Sequence, residues 1–398
     1  MRKWIWPAAA VAVLTAAVAM LTSWYFERER REQERFDKEE TELIVSNTEK
    51  ASIRLFQTGK TLSEVRAVNL FDGLRIWLPK GNYFLRVEQS GGVLFYPVTI
   101  LGYRAGPDED GALTITIRPY PAEFPPRLLS DLPEFIYIPS GHFVIGDRLN
   151  PQEPHYVWLS AYFISPFEVT HSEFKTFLDA QDGYMDESNW TKEGIQWKSE
   201  HSTSTTALLG PADKEYKRFG QPDQPVVEVK WHEAHAFCKW LTRRIGNGKW
   251  IFTLPSEGEW EKAARGPDSF NYGLGMSISD DEVKLYNWRK NPDAPITVVG
   301  IHTSQSLYAA NRYGLYHISG NVSEWTQTID RPYNRNHPYI DDDDRNHDHV
   351  RGLRVVRGGS WYSASIAILY VPYRDTFQPE HSSNERGFRL VARRLPNR

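Results

Sequence analysis

The stretch Asn311-Arg312-Tyr313-Gly314-Leu315-Tyr316, followed by Gly320-Asn321-Val322-Ser323-Glu324-Trp325, decides the fold. The same pattern continues in Arg357-Gly358-Gly359-Ser360-Trp361 and closes on Gly387-Phe388-Arg389-Leu390-Val391. Short apolar words set between Gly, Asn and Asp read as brief strands joined by tight turns. Gly320 before Asn321 permits a turn that a Cβ would resist. Asn321, the Val322 carbonyl and Glu324 offer hard oxygen ligands close together, which suits calcium. The Gly358-Gly359 pair lets another backbone or a ligand approach closely.

Two upstream segments belong with these words. They are Phe167-Glu168-Val169-Thr170 with Phe174, and Leu254-Pro255-Ser256-Glu257-Gly258-Glu259-Trp260-Glu261-Lys262-Ala263-Ala264-Arg265-Gly266. Taken in order, the segments resemble the sulfatase-modifying-factor family, whose founding member is the formylglycine-generating enzyme. The resemblance runs from about Phe135 to Arg394. It implies an α+β fold, a variant of the C-type-lectin-like fold, low in regular structure and stabilised by calcium. Fold does not fix chemistry, so the site is argued separately.

Within residues 135–398, Phe135 to Gly146 reads as a hairpin and His155 to Phe163 as a further strand. Thr170 caps a helix through Leu178, with Glu173 at the capping-box position. Residues Gln181 to Gln224 are polar and rich in turn formers, and read as a surface excursion. Trp231 to Arg244 reads as a second helix. Its His232, His235 and Cys238 lie three apart, so a metal site is weighed. The apolar stripe Ala234, Phe237, Cys238 and Leu241 favours a core role for the cysteine. Ser256 and Glu259 form a second capping box. Asn287, with Asp293 nearby, occupies the place of the family's first calcium, although the loop here is shorter than usual. Asp341 to Asp344 with His347, Asp348 and His349 reads as a solvated loop, because consecutive carboxylates cannot all face one ion.

One departure decides the function. In the family, two cysteines follow the Arg-Gly-Gly-Ser word and bind copper(I), a soft ion suited to thiolates. The matching positions here are Ser363 and Ile368, and the chain has a single cysteine, Cys238. No copper is therefore expected. The family's iron-dependent sulfoxide synthases use histidines from an added helical domain, and no such domain is visible. Two hypotheses follow. One is a binding, scaffold or maturation protein that holds a peptide or glycan in a lectin-like groove lined by Trp325, Arg357, Ser360, Trp361, Ser363, Tyr373 and Arg374. The other is an altered enzyme, of formylglycine-generating or other oxidoreductase type, acting on a protein substrate in the same groove. In that case Ser363 needs a nearby base to act as a nucleophile.

The remaining sequence supplies context. The 398 residues allow two or three domains, and 14 Trp with 20 Tyr suit a loop-rich core filled by aromatic plates. A net charge of −4 with no basic stripe argues against nucleic-acid binding. One cysteine excludes an intramolecular disulfide. The run Trp4 to Phe26 is uncharged and, at about 1.5 Å per residue, roughly 34 Å long as a helix. With Trp4, Trp6, Trp24 and Tyr25 at its ends it reads as an uncleaved membrane anchor over 1–26, in preference to a signal peptide cut near Ala17-Val18-Ala19. Arg2 and Lys3 favour a cytoplasmic N-terminus, with the bulk of a single-pass protein in the periplasm or otherwise outside the cytoplasm. Residues 27–50 read as a charged helical stalk. Residues 51–121 read as a small β-sandwich resembling PEGA-type repeats, built on Ser52–Phe56, Leu74–Leu78, Tyr83–Val87, Leu94–Ile100 and Leu113–Ile117. A Pro-rich linker spans 122–134.

Overall fold

The computed structural model describes residues 20, 23–24, 27–46, 51–61, 65–68, 75–130, 132–147, 154–200, 212, 215–278, 310–333, 338–349 and 351–395. Nearly all of the 1–26 anchor, and both Asn287 and Asp293, lie outside the described residues. Among the described residues, no helix is long and apolar enough to cross a membrane. The chain forms two compact units.

The smaller unit comprises the described parts of Met1–Ser46, Leu70–Gly81 and Ile100–Thr114. Residues 27–37 are helical, with an Arg31–Glu27 pair at 2.7 Å one turn apart. The helix stops before β1 (Thr41–Ser46), so the stalk reading fails over its second half. The cause is a period-2 pattern inside a charged run: Thr41, Leu43 and Val45 are buried on one face. β1 is the centre of a three-stranded sheet, between β4 (Arg75–Leu78) and β7 (Leu113–Thr116).

In the larger unit, β2 (Ser52–Thr58), β3 (Val65–Val68), β5 (Gly81–Gln89) and β6 (Gly92–Ile100) form a sheet ordered β3-β2-β5-β6. Phe56 and Phe84 sit opposite each other in register and stack with ring centroids 5.1 Å apart.

The C-terminal part of this unit holds β8 (Ile136–Ile138), β9 (Gly141–Ile145), β10 (His155–Leu159) and β11 (Tyr162–Ile164). β8 and β9 do not pair as the expected hairpin. β8 pairs with β11, and β9 with β10. Gly141, at φ 146°, turns the chain out of the first sheet. The single strand expected from His155 to Phe163 is likewise split. Asp341 takes both the backbone N–H and the hydroxyl of Ser160, at 2.9 and 2.6 Å, and so fixes the break.

Helix α1 (His171–Asp179) starts at Thr170, whose side chain and Glu173 form the predicted reciprocal cap. Helix α2 (Lys192–Glu200) lies within the stretch read as a surface excursion. That reading is corrected: Trp190 and Trp197 from this stretch are buried in the main core. Turn formers dominate the composition there, and two large indoles outweigh them energetically. Helix α3 (Trp231–Ile245) packs Phe237 and Trp240 against Phe174 and Phe177 of α1. β12 (Trp250–Thr253) leads into helix α4 (Glu257–Arg265), capped by Ser256 and Glu259 as predicted. β13 (Ser323–Ile329), β14 (Arg354–Arg357), β15 (Asp375–Phe377) and β16 (Arg386–Gly387) form a sheet ordered β15-β14-β13-β16. β17 (Val391–Arg394) joins β12 and β11 in the sheet that β8 borders.

Candidate functional site

The site rests on buried charge. Every residue of α4 is buried, and the helix presents Glu257 and Glu261 to the guanidinium of Arg357. Arg357 also donates to the Val371 and Tyr373 carbonyls, at 2.7 and 3.1 Å. Arg374 forks onto Glu257 and reaches Asp330 at 3.1 Å. Next to this group, Arg389 grips both oxygens of Glu324, at 2.6 and 2.7 Å, and the Trp260 indole donates to Glu324 at 2.8 Å. Burial raises the Glu324 pKa even against the attraction of Arg389. Glu168 is buried as well, but the His317 ring and Arg389 outweigh that and hold it below the usual carboxylate range. Paired and hydrogen-bonded in this way, the charges avoid the cost of an unpaired buried ion.

A loop crosses this floor. Gly358 and Gly359 have φ of 91° and 65°, and a Cβ on Gly359 would lie 2.8 Å from the Ile368 carbonyl oxygen. Only glycine passes there without displacing backbone. The N–H of Trp361 donates to the Asn321 carbonyl at 2.7 Å, and Gly320 N–H to the Gly358 carbonyl at 2.8 Å. The two quoted words therefore buttress each other. The loop ends in a polar turn. Ser360 N–H donates to Ser363 Oγ at 2.8 Å, the two hydroxyl oxygens are 3.4 Å apart, and the Ser360 hydroxyl donates to Glu385 at 2.8 Å. Trp361 packs on Phe219, with the Arg218 guanidinium 5.6 Å from its ring, and its indole donates to the Asn384 carbonyl at 3.2 Å. Tyr362 is exposed.

The structure thus divides the predicted groove. Ser360, Trp361 and Ser363 come together in one turn. Trp325 and Arg357 are fully buried core groups and line no groove, which corrects their assignment. Trp325 donates its indole N–H to the Val229 carbonyl at 3.0 Å, and Arg357 is consumed by α4. Tyr373 and Arg374 belong to the ion-pair floor. Glu385, Asn384 and Arg218 were missed from the sequence. The one available signal was that Asn384 and Glu385 lie just upstream of the quoted glycine word, separated from Gly387 by Arg386.

The metal candidates fare differently. Glu324 spends its carboxylate on Arg389 and Trp260, so a cation already occupies the face calcium would need. Asn321 sits at φ 60°, as the turn required, and its side-chain amide donates to Glu168 at 2.7 Å. Val322 is buried against Phe219, Val227 and Trp361. Asp343 caps a short 3-10 turn and pairs with Arg345, while Asp341 holds Ser160. No group of three or more His, Cys, Asp or Glu among the described residues is placed to hold a metal ion. His232 lies 3.5 Å from Glu380, and His235 3.7 Å from Asp348. Burial holds both rings below the usual histidine range, His235 at about 4.

Copper fails the donor test. Cys238 is buried in the core of α3, and burial pushes its thiol pKa up, away from the thiolate that copper(I) needs. Ser363 supplies a hydroxyl instead of sulfur, and the chain contains no second cysteine.

Residues 120–394 match the family model described as the sulfatase-modifying factor enzyme 1-like domain. The chain belongs to this family. The matched domain starts at 120, ahead of the Phe135 boundary read from the motifs. The inactive C-alpha-formylglycine-generating enzyme 2 of Mus musculus is 26% identical over 65% of this chain and 86% of its own length. The formylglycine-generating enzyme of Streptomyces coelicolor is 27% identical over 64% of this chain and 88% of its own. Among solved structures, Treponema denticola variable protein 1 aligns at a TM-score of 0.48 and 23% identity, covering 65% of this chain and 94% of that one. A relative named as a formylglycine-generating enzyme and one named as inactive are thus about equally similar to this sulfatase-modifying-factor domain, so overall identity does not assign its chemistry.

Proposed function

We propose that this member of the family is a membrane-anchored binding or maturation factor that holds a segment of a protein or glycan against the Ser360–Ser363 turn, without thiol oxidation. The observation that carries the proposal is the lone, buried Cys238 together with a hydroxyl at Ser363. Around that hydroxyl lie hydrogen-bonding groups and an exposed aromatic, Tyr362, which suit recognition of a polar chain. The uncharged run from Trp4 to Phe26 supports an anchor, with the bulk outside the cytoplasm.

One observation favours an altered enzyme: the Ser360 hydroxyl faces a carboxylate, Glu385, at 2.8 Å. Ser360 is only 3% exposed, so an incoming substrate cannot reach it in this conformation.

The test has two arms. Purified full-length protein is given cuprous ion and a thiol peptide, and oxygen uptake is followed. Protein recovered from its own membrane is then analysed by mass spectrometry for retained ligands. The expected result is no oxygen uptake above the metal-only rate and one ligand class whose retention falls with Tyr362→Ala. Stoichiometric copper uptake with thiol-dependent oxygen consumption overturns the proposal, as does recovery of a sulfatase bearing a converted cysteine.

A further inference from the structure

The loop from Ser360 to Tyr373 makes many of its hydrogen bonds within itself. The N–H groups of Ser363, Ile368, Tyr370 and Tyr373 each donate to the carbonyl three residues back. Trp361 and Val371 reach outward. Trp361 N–H donates to the Asn321 carbonyl, and Val371 N–H donates to the Asn271 carbonyl at 2.8 Å. Arg357 holds the Val371 and Tyr373 carbonyls at the end of the loop. The middle of the loop, the short 3-10 turn Ile366–Leu369, is covered from elsewhere.

The cover is a tight hairpin that follows Asn271. Tyr272 and Gly275 exchange backbone hydrogen bonds at 2.9 and 3.1 Å, with Gly273 and Leu274 at the tip. One side of the hairpin lies on the loop. Tyr272 and Leu274, together with Ile366, pack around the buried Leu369. The Tyr272 and Tyr370 rings meet edge to face, with centroids 5.5 Å apart. Gly273 N–H donates at 3.2 Å to the hydroxyl of Ser319, the residue before the Gly320-Asn321 turn. The other side lies on the upstream sheet. Met276 N–H donates to the Lys60 carbonyl at 2.9 Å, and Gly275 forms an antiparallel bridge with Thr61. The Asn82 amide meets the Met276 sulfur at 3.9 Å. Lys60 and Thr61 belong to the β2–β3 connection, and Asn82 to β5. Gly275 is buried, and a Cβ on it would lie 2.9 Å from the Lys60 carbonyl oxygen. Its φ lies outside the left-handed region, so the close approach alone calls for glycine.

We propose that the upstream sheet is a clamp on the ligand site. The β2–β3 connection fixes the Tyr272–Gly275 hairpin, and the hairpin fixes the loop that presents Tyr362 and Ser363. A loop bonded mainly to itself opens locally at low cost unless contacts from distant segments hold it. Here the Val371–Asn271 bond and the cover over Leu369 both come from the hairpin, so releasing the hairpin opens the loop. Any displacement of the upstream sheet reaches the site through this one turn. The consequence for binding rests on the proposed function, whereas the clamp is tested without a ligand, so the two fail separately.

The experiment is amide hydrogen–deuterium exchange of the full chain in detergent, read by mass spectrometry, with and without Gly275→Ala. The substitution puts a methyl group against a backbone oxygen of the upstream sheet and touches no residue of the site loop. It is expected to speed exchange at least tenfold in 271–276 and in 366–371, with α1 and α3 unchanged. Faster exchange in 271–276 alone overturns the clamp, and so does no change in either segment. Should the variant unfold as a whole, the unaltered chain supplies the test in sub-denaturing urea. Segments 271–276 and 366–371 are then expected to lose protection together, with one urea dependence, before α3 does. Separate urea dependences for the two segments overturn the proposal.

Discussion

At the residue scale, the positions that matter are those whose chemistry has no substitute. Arg389 is one. It ties Glu324 to the Ser165, Pro166 and Tyr316 carbonyls from a fully buried position. Arg389→Met leaves Glu324 charged and unpaired, so a loss of about 3–5 kcal/mol is expected in denaturant unfolding. Arg389→Lys is expected to lose nearly as much, because a single ammonium cannot replace the fork. Gly359→Ala is a second test. Its Cβ would press on the Ile368 carbonyl at 2.8 Å while φ stays at 65°, so about 1–3 kcal/mol of destabilisation is expected without any change in surface charge. The buried histidines set a pH dependence. His171 and His235 are held at about 4 by burial, against 6.5 when exposed. Between those values the unfolded chain binds more protons than the folded one, so stability is full above about 6.5 and falls as pH drops toward 4. Each shift is worth on the order of 3 kcal/mol. Chemical denaturation at pH 7.5 and 4.5 checks this: the difference is expected to shrink in His235→Gln.

At the element scale, the capping boxes were legible and the sheet partners were not. Thr170 with Glu173 and Ser256 with Glu259 both form as read, because the signal is local: a hydroxyl and a carboxylate three residues apart. Ser256→Ala is expected to cost about 1–2 kcal/mol, measured by thermal or denaturant unfolding, since α4 carries the ion-pair floor and is buried throughout. Pairing is non-local. Nothing between Ile138 and Gly141 announces that β8 and β9 enter different sheets, since turn residues fit a hairpin equally well. β1 was missed because Glu40 and Glu42 lie inside a charged run that masks its period-2 face. The groove was only half legible for a related reason. Sequence shows that Trp325, Arg357, Ser360 and Trp361 fall in matching words, but burial decides which of them a ligand can touch. An arginine reads as a binding group until the two acidic residues of α4 are seen to claim it.

At the scale of the whole molecule, the family match begins at residue 120, yet the larger unit does not. The sheet β3-β2-β5-β6 is tied to the C-terminal domain by several polar contacts. Tyr313 donates to the Phe95 carbonyl at 3.3 Å, and Thr99 and Ser269 share a hydrogen bond at 2.8 Å. The Arg312 guanidinium lies 4.5 Å from the Phe84 ring and pairs with Asp268 at 2.8 Å. Burial of Tyr313 raises its phenol pKa, as expected for a ring covered from water. The C-terminal domain has its own aromatic core around Phe174, Phe237 and Trp240, so a fragment of residues 120–398 is expected to fold. It is also expected to expose the Tyr313 and Arg312 surface that the upstream sheet covers. Losing about 1–2 kcal/mol of such contacts lowers the melting temperature by roughly 2–8 °C in a domain of this size. Calorimetric melting of the fragment beside the full chain measures the difference. Arg312→Ala supplies the control. It is expected to lower the melting temperature of the full chain more than that of the fragment, because only the full chain places Phe84 over that guanidinium. An equal effect in both would mean that the Arg312–Phe84 contact adds nothing to the stability of the C-terminal domain.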